Sequence, residues 1–275
     1  MASRLKDTVA VVTGGSRGIG KGIALGLAEE GATIYVTGRT QQAGAGPWPG
    51  SLAETVAEAT ALGGRCIAVR CDHADDGAVA ALFRRVQDEQ GRLDLLVNNA
   101  FATPDEEMPR GVPFWEQPVA LWDRLHTVGL RSHYVAGVFA APLMIARGRG
   151  LIVHVSSVGA VQHTFSVAYG AGKAGVNKLA ADVAEELRPH GVASIALWPT
   201  FTRTEAILAQ PERWNVAGFP SSSPRMTGRA VAALAADPDI MAKTGQTLLV
   251  PALAREYGFT DLDGTLPPMP AYAPQ

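Results

Sequence analysis

The sequence predicts one doubly wound α/β domain over residues 1–275, with a central parallel sheet and helices on both faces. Two observations carry this. Short apolar strand signals alternate with helix signals along most of the chain, and a glycine-rich turn joins the first strand to the first helix. Repeated βα units place their strands in one parallel sheet, which helices must then cover on both sides. With 47% hydrophobic and 18% charged residues, the chain has ample material for a sizeable core and is not a disordered polymer.

Val9 to Val12 is a buried-strand run, and the helix after it carries Ile19, Ile23, Ala24 and Leu27 on one side before Gly31 ends it. Thr33 to Thr37 (strand), Leu52 to Leu62 (helix) and Cys66 to Arg70 (strand) follow, then Ala78 to Gln87 (helix) and Leu93 to Val97 (strand). A longer helical pattern uses Leu121, Leu125, Val128, Ser132 and Val135, and Pro142 is expected to bend or end it. Leu151 to Val155 is a strand, Tyr169 to Leu187 a helix and Val192 to Leu197 a strand. A last helix near Gly228 to Ala235 leads to a short strand, Gln246 to Val250. Residues 42–50 form a surface loop, about 200–226 a substrate loop without clean periodicity, and about 251–275 a tail read as irregular.

Composition removes several function classes. The net charge of −2, with no basic cluster, leaves no footprint for nucleic acid. Cys66 and Cys71 lie an odd number of residues apart along a strand and point to opposite faces, so a mutual disulfide is not expected, and two cysteines with scattered histidines build no zinc site. The apolar run Val9 to Val12 is too short for a signal segment. Val135 to Ala146, the longest apolar stretch, falls well short of a membrane span. The expectation is a reduced, cytoplasmic protein with no integral membrane segment.

The chemistry starts at the turn Thr13-Gly14-Gly15-Ser16-Arg17-Gly18-Ile19-Gly20. Glycines there allow a tight bend and let backbone N–H groups approach a diphosphate, which a helix N-terminus also attracts. At the end of the second strand, where an NAD site uses a carboxylate on the ribose 2′-hydroxyl, stand Gly38 and Arg39. Glycine leaves space and the arginine fork suits a phosphate, with Arg17 able to flank it, so NADP is the expected cofactor. Tyr169 and Lys173, four residues apart, share a helix face downstream of Ser156 and Ser157. An ammonium beside a phenol favours the phenolate and is expected to lower its pKa, while a serine hydroxyl holds a carbonyl or alcohol oxygen.

Taken in order, the glycine turn, Cys71-Asp72, Asn98-Asn99-Ala100, the serine pair, Tyr169-x-x-x-Lys173 and Trp198-Pro199 resemble the short-chain dehydrogenase/reductase family over roughly residues 7–250. The resemblance implies a Rossmann-type domain and a catalytic set of Ser157, Tyr169 and Lys173. Ser156 keeps the family's usual distance to the tyrosine. Ser157 is chosen because it matches when strand ends are aligned, and a loop loses a residue more easily than a strand slips. It also implies a cofactor site of Gly14, Ser16, Arg17, Gly18, Ile19, Gly20, Arg39, Asp72, Asn98, Ala100, Tyr169, Lys173, Pro199, Phe201 and Thr204. Three positions depart from the family pattern: Phe101 and Thr200 replace glycines, and Gly129 replaces the asparagine of the catalytic tetrad. Gly129 is expected to leave a side-chain-sized space that waters occupy.

The expected activity is an NADP(H)-dependent interconversion of a ketone or aldehyde with an alcohol. A non-catalytic dinucleotide sensor or scaffold and an enone reductase are the alternatives. Phe101, Phe114, Trp115, Phe201, Trp214 and Phe219 in loops after strand ends point to an apolar small-molecule substrate. Small residues on the Tyr169 to Leu187 helix, more than one buried face needs, point with the resemblance to a homodimer or homotetramer.

Overall fold

A computed structural model describes residues 3–46, 48–102, 111–218 and 220–269. Seven strands form one parallel sheet: β1 Val9–Val12, β2 Thr33–Gly38, β3 Arg65–Arg70, β4 Leu95–Asn98, β5 Gly150–Val155, β6 Val192–Trp198 and β7 Thr247–Leu249. Their order is β3-β2-β1-β4-β5-β6-β7. The direction of winding reverses between β1 and β4, and ligands of such sheets bind beyond the strand C-termini at that switch.

The strand alternation divides the core in two. Ala10, Val12, Ile34, Leu95 and Val97 face α1 (Gly18–Glu29), α2 (Leu52–Ala61), α8 (Pro224–Ala235) and α9 (Val250–Tyr257). Val9, Val11, Tyr35 and Leu96 face α3 (Asp76–Gln90) and α5 (Ser132–Ile145). The apolar run of β1 is fully buried because both of its faces are covered. Helices α1 and α8 cross at glycines: a Cβ on Gly26 would meet the backbone of Gly228 at 2.4 Å.

Four elements differ from the sequence reading. The chain after Pro251 is not irregular from there on: α9 runs to Tyr257, with proline tolerated in its first turn and Gly258 ending it in the left-handed conformation. A short helix, α7 (Glu205–Leu208), lies within the 200–226 loop, started by Thr204. Pro142 does not end its helix, which continues to Ile145. The bond that proline removes is to the carbonyl of Val138, a residue on the exposed side of the helix. The helical pattern that begins at Leu121 is not one regular α-helix: α4 (Ala120–His126) passes through a π turn, Thr127–Arg131, and leads into α5. This 26-residue stretch, Ala120–Ile145, is long and apolar enough to cross a membrane by length and composition, and 39% of its most apolar window is buried in the fold.

Both cysteines are free, as expected, and burial pushes the Cys66 thiol up to about 12 and Cys71 to about 11.

Candidate active site

Helix α6 (Val167–Leu187) starts at Ser166, whose hydroxyl accepts from the Tyr169 N–H, and its first turn delivers Tyr169 beside the end of β5. The Ser157 Oγ lies 2.8 Å from the Tyr169 hydroxyl and also accepts from the Gly159 N–H. Ser156 faces elsewhere: it is buried and donates to the carbonyl of Lys173 at 3.2 Å. One turn along α6, the buried Lys173 donates from Nζ to the Val155 carbonyl at 3.1 Å.

The electrostatics differ from the sequence expectation. Burial holds the Tyr169 phenol above its ordinary value, and the hydrogen bond from Ser157 only partly offsets this. Burial also brings Lys173 down to about 8. Desolvation disfavours the charged form of each.

A cavity of about 380 Å³ opens beyond the C-termini of β1 to β4. Gly14, Ser16, Arg17, Gly18, Ile19, Gly20, Arg39, Asp72, Ala100 and Thr204, all read from the sequence, line it. Asn98, Tyr169, Lys173, Pro199 and Phe201 are not part of its lining. The glycines are needed for close approach. Gly14 has φ +67° and a Cβ on it would lie 2.8 Å from Ala100 Cα, while a Cβ on Gly20 would lie 2.2 Å from the Gly14 carbonyl. This cradle, with the exposed Arg39 on its wall, fits a dinucleotide diphosphate and ribose.

Several residues do something other than expected. The guanidinium of Arg17 is spent on the 42–50 loop, donating to the carbonyls of Trp48, Pro49 and Gly50 and to Thr40 Oγ1. Among the described residues Arg39 has no such partner. The Asn98 side chain points away from the cavity, between the carbonyl of His133 and the ring of His154. Its neighbour Asn99 holds the glycine turn, donating to the carbonyls of Thr13 and Gly14, and Thr13 Oγ1 accepts from the N–H groups of Asn99 and Ala100. Strand alternation is the signal that separates the two asparagines, since Asn98 follows Leu96 onto the α5 face. Gly129, in the π turn, leaves no space for water: a Cβ there would lie 2.8 Å from Phe101 Cδ2.

Phe101 and Trp214 line the cavity, but Phe114 and Trp115 pair with each other at the surface, and Phe219 lies outside the described residues. The sequence reading missed Phe165. Its ring stands edge-on to Tyr169 at 5.1 Å and to Trp214 at 6.1 Å, and its φ of +62° is a strained backbone for phenylalanine.

The profile of the short chain dehydrogenase family matches residues 8–213, three quarters of the chain. The chain belongs to the short-chain dehydrogenase/reductase family. Among curated members it is 45% identical to dehydrogenase/reductase SDR family member 1 of Mus musculus and 43% identical to that of Homo sapiens, in each case over 96% of this chain and 86% of the relative. Among solved structures it resembles a metagenomic short-chain oxidoreductase in complex with NADP (33% identity, TM-score 0.72, 90% of this chain and 97% of that one). It also resembles a short chain dehydrogenase from Mycobacterium thermoresistibile (28% identity, TM-score 0.78, 94% and 89%). As a short-chain dehydrogenase the chain is an oxidoreductase, and its glycine cradle lies beyond the strand C-termini at the β1–β4 switch.

Proposed function

We propose that this short-chain dehydrogenase uses NADP(H) to interconvert a ketone or aldehyde with its alcohol on an apolar small molecule. The observation that carries the reading is the 2.8 Å contact between Ser157 and Tyr169, one helical turn from Lys173. When bound, the nicotinamide supplies or receives the hydride. On reduction, Ser157 donates a hydrogen bond to the carbonyl oxygen and Tyr169 passes its proton to the same atom; on oxidation Tyr169 takes it back. The Lys173 ammonium, fixed on the Val155 carbonyl, lowers the cost of the phenolate between turnovers. Gly14, Ser16, Gly18, Ile19 and Gly20 would cradle the diphosphate, Arg39 the 2′-phosphate, and Asp72 and Ala100 the adenosine side, with Pro199, Phe201 and Thr204 toward the nicotinamide. Phe101, Phe165 and Trp214 give the mouth its apolar character.

NADP is supported by the lack of an acid at Gly38-Arg39 and by the cofactor of the metagenomic relative. Association as a homodimer or homotetramer rests on a narrower base than the sequence suggested. Gly172 and Gly175 face His126 and Leu130 of their own chain, so Ala171 and Ala174, with exposed Trp122, Tyr134 and Val138, are what remains for a partner copy.

The test is to follow NADPH oxidation with panels of ketones, aldehydes and enones. Reduction of a carbonyl to an alcohol supports the proposal. Reduction of the enone double bond alone replaces it with the enone-reductase reading, and NADPH binding without turnover replaces it with a sensor or scaffold.

A further inference from the structure

Two departures from the family pattern touch each other. The Phe101 ring sits against Gly129, where any side chain would begin only 2.8 and 2.9 Å from Cδ2 and Cε2 of the ring. The same ring has Lys173 Nζ over it at 5.0 Å from the centroid and meets the Tyr169 ring edge-to-face at 5.8 Å. The phenylalanine therefore fills the volume of a side chain at 129 and contacts both members of the Tyr169–Lys173 pair.

A buried ammonium carries three donors and loses its hydration on folding. Among the described residues one carbonyl, that of Val155, takes a hydrogen bond from Nζ. The negative face of an aromatic ring within about 6 Å offers a second attraction, which strengthens as water is excluded. We propose that Phe101 is a positioning residue for Lys173: its ring, seated in the space left by Gly129, holds the ammonium between a π face and the Val155 carbonyl. This rests on the reading of Tyr169 and Lys173 as the reacting pair. Leucine would fill much of the same volume without the quadrupole. Since Lys173 is already down at about 8, a modest loss of attraction shows near neutral pH. The titratable neighbours are Tyr169 on the same helix, raised by burial, and His133 on α5, held neutral chiefly by burial and further by the Lys173 ammonium.

The test is brief acetic anhydride labelling of the cofactor-free protein across pH, with the Lys173 peptide quantified by mass spectrometry and exposed Lys178 as internal standard. In Phe101→Leu the midpoint of Lys173 labelling should fall by about 0.4 to 1.5 pH, equivalent to a 2- to 30-fold gain in the neutral amine. Phe101→Tyr, which keeps a π face, should retain the wild-type midpoint. An unchanged midpoint in Phe101→Leu, or an equal drop in both variants, overturns the proposal. The occupancy claim has its own readout. Gly129→Asn should lower the melting temperature, and Phe101→Gly with Gly129→Asn should melt above the sum of the two single losses; strictly additive losses overturn it. Neither measurement uses turnover, so failure of the proposal is distinguishable from failure of the reductase reading, which the substrate panels decide.

Discussion

The carboxylate of Glu205 accepts a 2.7 Å hydrogen bond from the N–H of Gly18, at the first residue of α1. Lys21 Nζ stands 3.9 Å from its other oxygen. This N–H belongs to the turn that suits a diphosphate, so cofactor and loop carboxylate compete for one donor at the positive end of a helix.

Glu205→Ala should therefore bind NADPH more tightly than wild type. Removing a competing charge-assisted bond and its repulsion of phosphate is worth about 1.4 kcal/mol, roughly tenfold in Kd. Fluorescence titration of NADPH measures this, and an equal or weaker affinity in the variant would count against the competition.

Arg39→Ala should weaken NADPH binding by one to two decades, since losing a charged hydrogen bond to the 2′-phosphate costs about 1.5–3 kcal/mol, and should leave NADH almost unaffected. Titrating both cofactors against both proteins checks it. A wild type that prefers NADH would sink the assignment of Arg39.

Tyr169→Phe should abolish turnover while NADPH affinity stays within a few-fold of wild type, because the phenol acts on the reacting oxygen rather than on the cofactor. Ser157→Ala should lower kcat by about 10²–10⁴ with the fold intact, the range of a positioned acid–base partner. A Tyr169→Phe enzyme as fast as wild type on a good carbonyl substrate would remove the catalytic reading.

Acid should destabilise this protein before its carboxylates titrate. Burial takes His73 from 6.5 to about 4, His154 to about 3, and His133 well below its ordinary value. Above pH 6.5 neither folded nor unfolded histidine carries the proton, and nothing is lost. Below 6.5 the unfolded chain takes up protons that the folded one refuses until about pH 4, so stability falls as pH falls. Each histidine contributes a slope of up to ~1.4 kcal/mol per pH step. Urea melts at pH 7 and pH 5 should show the drop; equal midpoints would contradict it.

The sheet was legible because a strand buried on both faces reads as a continuous apolar run, and the strands lie within about two residues of their sequence positions. Tyr169, Lys173 and the serine pair were legible because their spacing is a local property of one helix and one strand end. What escaped depends on tertiary neighbours. Nothing local in Arg17 shows that three loop carbonyls take its fork, nor does Gly129 announce that Phe101, distant in sequence, fills its space. Asn98 and Asn99 differ only in which side of the sheet they meet. Phe165 gave no signal, since its importance comes from a strained φ and a ring against Tyr169.

The excursion between β6 and α8 leaves and re-enters the body of the protein at one place. Thr202 and Ser222 form a β-bridge there, reinforced by the Ser222 N–H on the Phe201 carbonyl and the Arg203 N–H on the Ser222 carbonyl, both 2.9 Å. Arg203 adds a bond to the Ser221 carbonyl, and Asp261 takes the Ser223 N–H beside it. A loop clasped at its base behaves as a replaceable cassette, because changing its length alters closure entropy only logarithmically while the clasp keeps the sheet unaware of the change. Exchanging residues 205–220 for the equivalent stretch of a relative should therefore transfer substrate preference and leave the melting temperature within a few degrees. In this architecture substrate range can diversify without renegotiating the fold.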